Sequence, residues 1–216
     1  MIPRLKVCCI SSPEELRLAV AAGADALGFV GDMPSGSGVI GDELSRALVR
    51  LVPPPVASVL LTAYERAEDI ARHVQDVGAN TVQIVNHIDK NEYRALREAI
   101  PTARLIQVIH VEDDHALDLA REYAEVAHAL LLDSGRPSAA VPELGGTGRT
   151  HDWCISARIV QQIDIPIFLA GGITPANVRE AIAQVRPYGI DLCSGVRTCW
   201  HLDPEKLAAL THAMWT

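Results

Sequence analysis

The 216-residue sequence predicts an α/β fold, a single (β/α)8 barrel domain spanning residues 1–216. Short apolar runs alternate with longer amphipathic ones at a period of about 25 residues, the mark of repeated strand–helix units. Apolar residues make up 49% of the chain and aromatics only 4%, as in parallel sheets covered by helices on both faces. No GxGxxG follows the first strand, which separates this pattern from an open doubly wound sheet. No linker or low-complexity stretch divides the chain.

The strands are expected at 5–10, 26–30, 57–61, 81–85, 104–109, 129–132, 167–170 and 190–193. Helices are expected at 13–22, 42–51, 65–77, 91–100, 112–123, 152–162, 175–185 and 204–213. Ser12-Pro13-Glu14-Glu15 and Thr174-Pro175 each place a capping hydroxyl before a proline at the first helical turn. Asp152 is placed to cap the sixth helix. Right-handed crossovers between parallel strands then close eight such units into a barrel.

Composition excludes several function classes. A formal net charge of −8 argues against a nucleic-acid or anionic-membrane surface. No apolar run approaches the roughly 20 residues of a membrane span, and the first residues enter a strand without a signal-peptide core. Five cysteines without a CxxC pair read as reduced thiols of a cytoplasmic protein. The eight histidines show no HExxH and no i,i+4 pair, so no metal site is expected. His110 is placed at the end of the fifth strand, where a loop hydrogen bond is its ordinary role. Trp153, Tyr188 and Trp200 are expected to pack.

A barrel carries its site at the C-terminal ends of its strands. Those ends gather Cys8 and Cys9, the glycine-rich loop 31–41, Gln83 and Asn86, Asp133, Gly171-Gly172 and Ser194-Gly195. The last two turns leave N–H groups free for an anion, so Gly171, Gly172, Ser194 and Gly195 are the expected phosphate site. Gly146 and Gly148, in Leu144-Gly145-Gly146-Thr147-Gly148-Arg149, offer further approachable backbone beside the acid Asp133. An acid at a strand end beside phosphate-friendly loops suits sugar-phosphate chemistry.

These residues resemble one family, the phosphoribosylanthranilate isomerases of tryptophan biosynthesis. The matching pieces are Lys6-Val7-Cys8-Cys9-Ile10, Gly23-Ala24-Asp25-Ala26-Leu27-Gly28-Phe29-Val30, Val82-Gln83 and Leu131-Leu132-Asp133-Ser134. Gly145-Gly146-Thr147-Gly148 through Trp153, Leu169-Ala170-Gly171-Gly172-Ile173 and Ser194-Gly195-Val196 complete the set. The resemblance implies a cofactor-free Amadori rearrangement of an N-(5-phosphoribosyl) amine, with Cys8 as base and Asp133 as acid. It places Lys6, Gln83, Gly38, Gly146 and Gly148 against the substrate, and a monomer or homodimer as the assembly. The thiol's pKa must then fall from about 8.5 and the carboxyl's rise from about 3.9 toward neutrality. A free cysteine is otherwise most often a small buried apolar residue. An aspartate at a strand end otherwise caps a helix or holds a loop.

Departures concentrate at the aglycone end. The family's glycine after the catalytic cysteine is Cys9, its Gln-Leu-His-Gly reads Gln83-Ile84-Val85-Asn86, and its glutamate after Ser-Gly-Val is Arg197. Its Ser-Pro-Arg-Tyr-Val loop, whose arginine grips the anthranilate carboxylate, is Met33-Pro34-Ser35-Gly36-Ser37-Gly38-Val39-Ile40, with Gly38 nearest that arginine. Two consequences stay open: a paralogue acting on another N-ribosyl amine, or a carboxylate contact from Arg46, Arg136, Arg149 or Arg197. A non-catalytic phosphosugar-binding barrel is the third reading, which retention of both Cys8 and Asp133 disfavours.

Overall fold

Strands β1 (Arg4–Val7), β2 (Ala26–Val30), β3 (Ala57–Thr62) and β4 (Thr81–Ile84) form the first half of a closed parallel barrel. The second half is β5 (Arg104–His110), β6 (Ala129–Asp133), β7 (Ile167–Leu169) and β8 (Gly189–Leu192). Helices α1 (Pro13–Ala21), α2 (Asp42–Val49), α3 (Ala67–Val77) and α4 (Lys90–Ala99) follow the first four strands. The others are α5 (His115–Ala124), α6 (Trp153–Gln162), α7 (Val178–Val185) and α8 (Pro204–Trp215). This computed structural model describes residues 2–33, 38–135 and 150–215. Gly146, Gly148, Arg136 and Arg149 therefore lie outside the described residues. No described helix is long and apolar enough to cross a membrane.

Alternation along each strand sorts the interior into two cores. Leu5, Val7, Val82, Ile84, Leu130, Leu132, Ile190 and Leu192 face outward into the shell between sheet and helices. Cys8, Ala26, Val59, Ile106, Leu131 and Ala170 face inward and fill the barrel lumen. Lys6, Gln83, Asp133 and Asp191 share the inward phase of their strands. Both faces are buried, so truncating a shell leucine such as Leu130 or Leu132 costs roughly 2–5 kcal/mol.

The element boundaries show where local signals hold. Ser12 caps α1 by accepting from the Glu15 amide at 3.2 Å, and Asp152 caps α6 by accepting from the Cys154 amide at 2.8 Å. Three expectations are corrected. The first strand ends at Val7, because Cys9 turns to a left-handed φ of 64° and breaks the regular ladder, leaving the Cys8 and Ile10 amides on the Leu192 and Gly28 carbonyls. The seventh helix starts at Val178, after a turn in which the Asn177 and Val178 amides donate to the Thr174 carbonyl and the Thr174 amide donates to Asn177 Oδ1 at 2.8 Å. Trp200 is 60% exposed instead of packed, on a hairpin of β9 (Arg197–Thr198) and β10 (His201–Leu202) absent from the expected elements. Tyr188 does pack, edge-on against Phe168, and Trp153 seats partly buried against the shell core.

Candidate active site at the C-terminal mouth of the barrel

Closure of β1 against β8 sets Lys6 opposite Asp191 in register. Their side chains meet inside the lumen, Nζ to Oδ1 at 2.8 Å, with Lys6 fully buried. Burial alone would lower the Lys6 pKa, but Asp191 and Cys8 outweigh it, so the ammonium stays charged. Burial pushes the Asp191 carboxyl up, while Lys6 pulls it down. Lys6 is thus a fixed positive charge in the lumen, acting on Cys8 and Asp133 together.

Cys8 projects inward two residues beyond Lys6. It lies against Gly28, where an added Cβ would stand 2.8 Å from the Cys8 sulfur, so only glycine leaves the thiol its place. A hydrogen bond from the Cys9 thiol, with the Lys6 charge, lowers the Cys8 pKa against its burial. Asp133 moves the opposite way. Burial raises its pKa, resisted by the Ser134 amide, which donates to Oδ1 at 2.7 Å, and by Lys6. One lumen therefore holds a thiol shifted toward its anion and a carboxyl shifted toward its acid, the divergence that acid–base pairs need. Gln83 faces the same space, and its buried Oε1 has no hydrogen-bond partner among the described residues.

The two glycine turns come together. Gly171 and Gly172 take φ of 80° and 62°, conformations that favour glycine. A Cβ on Gly171 would meet Ser134 Oγ at 2.8 Å, and one on Gly195 would collide with the Ile173 carbonyl. The β7 loop thus packs directly on the short 3-10 turn Ser194–Val196 after β8.

On the aglycone side, two of the candidate arginines are engaged elsewhere, and the backbone at Gly38 leaves little space for a side chain. Gly38 sits at φ 80°, and a Cβ there would stand 2.6 Å from the Cys9 Cβ. Arg197 is buried against Glu15, Nη1 to Oε1 at 2.7 Å, and also donates to the carbonyls of Cys8, Cys9 and Trp200. It is committed to structure and does not reach for a substrate. Arg46 points toward the other end of the barrel, where its Nε donates to the Asp76 carbonyl at 2.5 Å. His110 takes the loop hydrogen bond, from Nε2 to the Val85 carbonyl at 3.0 Å.

Asp191 and Gly28 are the site residues that sequence reading missed. An acid inside the apolar run Gly189–Leu192 was the available signal for Asp191. A cavity of about 390 Å³ opens at the opposite, N-terminal end of the lumen, beside Ala26, Ala57, Thr81 and His128. Cys8 and Asp133 lie at the other mouth, where barrels carry their sites.

Comparison with known proteins places this geometry. The family model described as N-(5'phosphoribosyl)anthranilate (PRA) isomerase matches residues 5–213. The N-(5'-phosphoribosyl)anthranilate isomerase of Methanocella arvoryzae is 34% identical over 193 residues, covering 89% of this chain and 88% of the relative. The crystal structure of phosphoribosyl anthranilate isomerase from Thermus thermophilus superposes with a TM-score of 0.83 at 30% identity, covering 98% of both chains. A second solved isomerase, in complex with reduced 1-(o-carboxyphenylamino)-1-deoxyribulose 5-phosphate, gives a TM-score of 0.82 at 27% identity over 98% of both chains. With nearly its whole length matched in sequence and in fold, the chain belongs to the N-(5'-phosphoribosyl)anthranilate isomerase family.

Proposed function

We propose that the chain isomerises N-(5'-phosphoribosyl)anthranilate in tryptophan biosynthesis, with Asp133 as general acid and Cys8 as general base. The observation that carries the assignment of roles is the shared lumen, where Lys6 faces both groups and their proton affinities diverge.

The neutral Asp133 carboxyl protonates the furanose ring oxygen as the C1–O bond breaks. The amine lone pair forms the C1=N iminium, and the charge stays on nitrogen. The Cys8 thiolate then takes the C2 proton, and the C2–H electrons form a C1=C2 enolamine that neutralises the iminium. Tautomerisation delivers the 2-ketone. Both steps are proton transfers at positioned side chains. Substrate phosphate is assigned to the N–H groups of Gly171, Gly172, Ser194 and Gly195. The unpartnered Gln83 Oε1 supports an acceptor role toward a substrate hydroxyl or amine, and Lys6 holds the site's charge. Gly146 and Gly148 keep the substrate-facing role that the family resemblance implies.

Complementation of a tryptophan auxotroph lacking this isomerase tests the reading. Growth on minimal medium is expected, and failure of a well-expressed chain to restore growth would overturn it. One observation favours a second reading, an amine other than anthranilate. Gly38 and Arg197 both fail to present a cation to the aglycone. Gly38→Arg alone is expected to lower stability, since the left-handed turn and Cys9 leave no room for a Cβ. Adding Cys9→Gly removes the clash. If the double variant then lowers KM for the anthranilate substrate, this loop sets the amine; an unchanged KM would reject that role.

A further inference from the structure

Cys9 and Cys193 sit 184 residues apart in sequence, yet their sulfurs lie 2.7 Å from each other. That is within about 0.7 Å of a disulfide bond length. Each flanks a part of the site: Cys9 follows Cys8, and Cys193 precedes the turn Ser194–Val196. Cys193 is half-buried at the mouth, whereas Cys9 is buried behind it. The two thiols are therefore ordered, one reachable from solvent and the other waiting at bonding range.

We propose that Cys9 and Cys193 form a reversible disulfide that switches the isomerase off. A low-molecular-weight disulfide such as oxidised glutathione supplies the oxidising equivalents. The Cys193 thiolate attacks one of its sulfurs, that S–S bond breaks, and one glutathione thiolate leaves. The Cys9 thiol gives up its proton and attacks the Cys193 sulfur, expelling the second glutathione thiolate. Two protein thiols are oxidised and one glutathione disulfide is reduced to two thiols. The consequence for catalysis rests on Cys8 being the base. Reduced Cys9 donates a hydrogen bond to the Cys8 thiolate, and a bridged Cys9 has no S–H left to donate. The bridge also ties the end of β1 to the phosphate turn after β8.

The test treats purified full-length protein with oxidised glutathione and follows two independent readouts. Peptide mapping is done on Cys8→Ser, so that the peptide carrying residue 9 holds one cysteine. It is expected to be joined to the peptide carrying Cys193, with a mass lower by two hydrogens. Activity of the unsubstituted enzyme is expected to fall about ten-fold or more, the change for a lost hydrogen bond to a charged group, and to return with dithiothreitol. Cys193→Ser is expected to keep the same activity before and after oxidant. Absence of the joined peptide overturns the proposal, as does equal inactivation of Cys193→Ser and unsubstituted enzyme, which would place the oxidation on Cys8. Should Cys8→Ser keep full turnover, the base assignment fails, while the joined peptide still decides whether the bridge exists.

Discussion

Lys6–Asp191 and Glu15–Arg197 both tie the last strand's end of the chain to its first forty residues, and both are buried. They are built differently. Inside the lumen, Asp191 supplies the one hydrogen bond that the described residues give Lys6 Nζ, and the remaining field falls on Cys8 and Asp133. Outside it, Arg197 and Glu15 are wrapped in partners. Arg197 holds three backbone carbonyls besides Glu15, and Glu15 accepts from the Ser11 and Leu202 amides as well. A charge held by several hydrogen bonds to backbone and side chain fastens segments together. A charge left partly unsatisfied in low dielectric acts on its neighbours. Glu15–Arg197 pins the β9–β10 hairpin and the loop after β1, and Lys6–Asp191 shapes the proton affinities of the site.

Breaking the Glu15–Arg197 pair is the largest expected effect. Arg197→Met leaves Glu15 buried and unpaired and three carbonyls without their donor, so unfolding free energy is expected to fall by about 3–5 kcal/mol. Urea denaturation measures this, and a loss below about 1 kcal/mol would show the pair is not a fastening. Cys8→Ser and Asp133→Asn come next, each lowering kcat by about 10²-fold or more with native circular dichroism. Retained turnover in both would refute the acid–base pair.

The comparison sharpens when the lumen pair is replaced by apolar side chains of similar size. Lys6→Met with Asp191→Leu is expected to leave stability unchanged or higher by about 1–4 kcal/mol, while activity falls. A destabilised double variant would make this pair a fastening like the other. The smallest effect is a displacement of the pH profile. The base works only as thiolate, so kcat/KM rises as pH climbs through the Cys8 pKa, and the Asp133 acid is lost as pH climbs through its own. The Asp191 charge raises the Cys8 pKa. Asp191→Asn is therefore expected to move the limb set by Cys8 to lower pH, and Glu15→Gln to leave it in place. A shift to higher pH in Asp191→Asn would contradict the electrostatic role.

Eight strand–helix units, their order, and the two glycine turns were legible because each rests on local chemistry: apolar runs, caps and glycines a few residues apart. The cap at Ser12 formed as read, whereas the helix expected from Pro175 begins at Val178, after a turn that Asn177 ties back to the Thr174 amide. Family resemblance, more than pattern, singled out Cys8 and Asp133. Alternation did not reveal which side of a strand faced the lumen, since both faces are buried and Leu130-Leu131-Leu132 reads the same either way.

The sequence by itself determined the barrel, its family and the residue types of the chemistry. Closure decided the rest. Lys6 meets Asp191 across 185 residues, and Arg197 meets Glu15 across 182, only because β8 pairs with β1. The room that Gly28 leaves for Cys8, and the clash that Gly38 would make with Cys9, likewise exist only between strands and loops distant in sequence. Such contacts depend on register and on which groups lose water together, and those quantities appear only when the sheet closes.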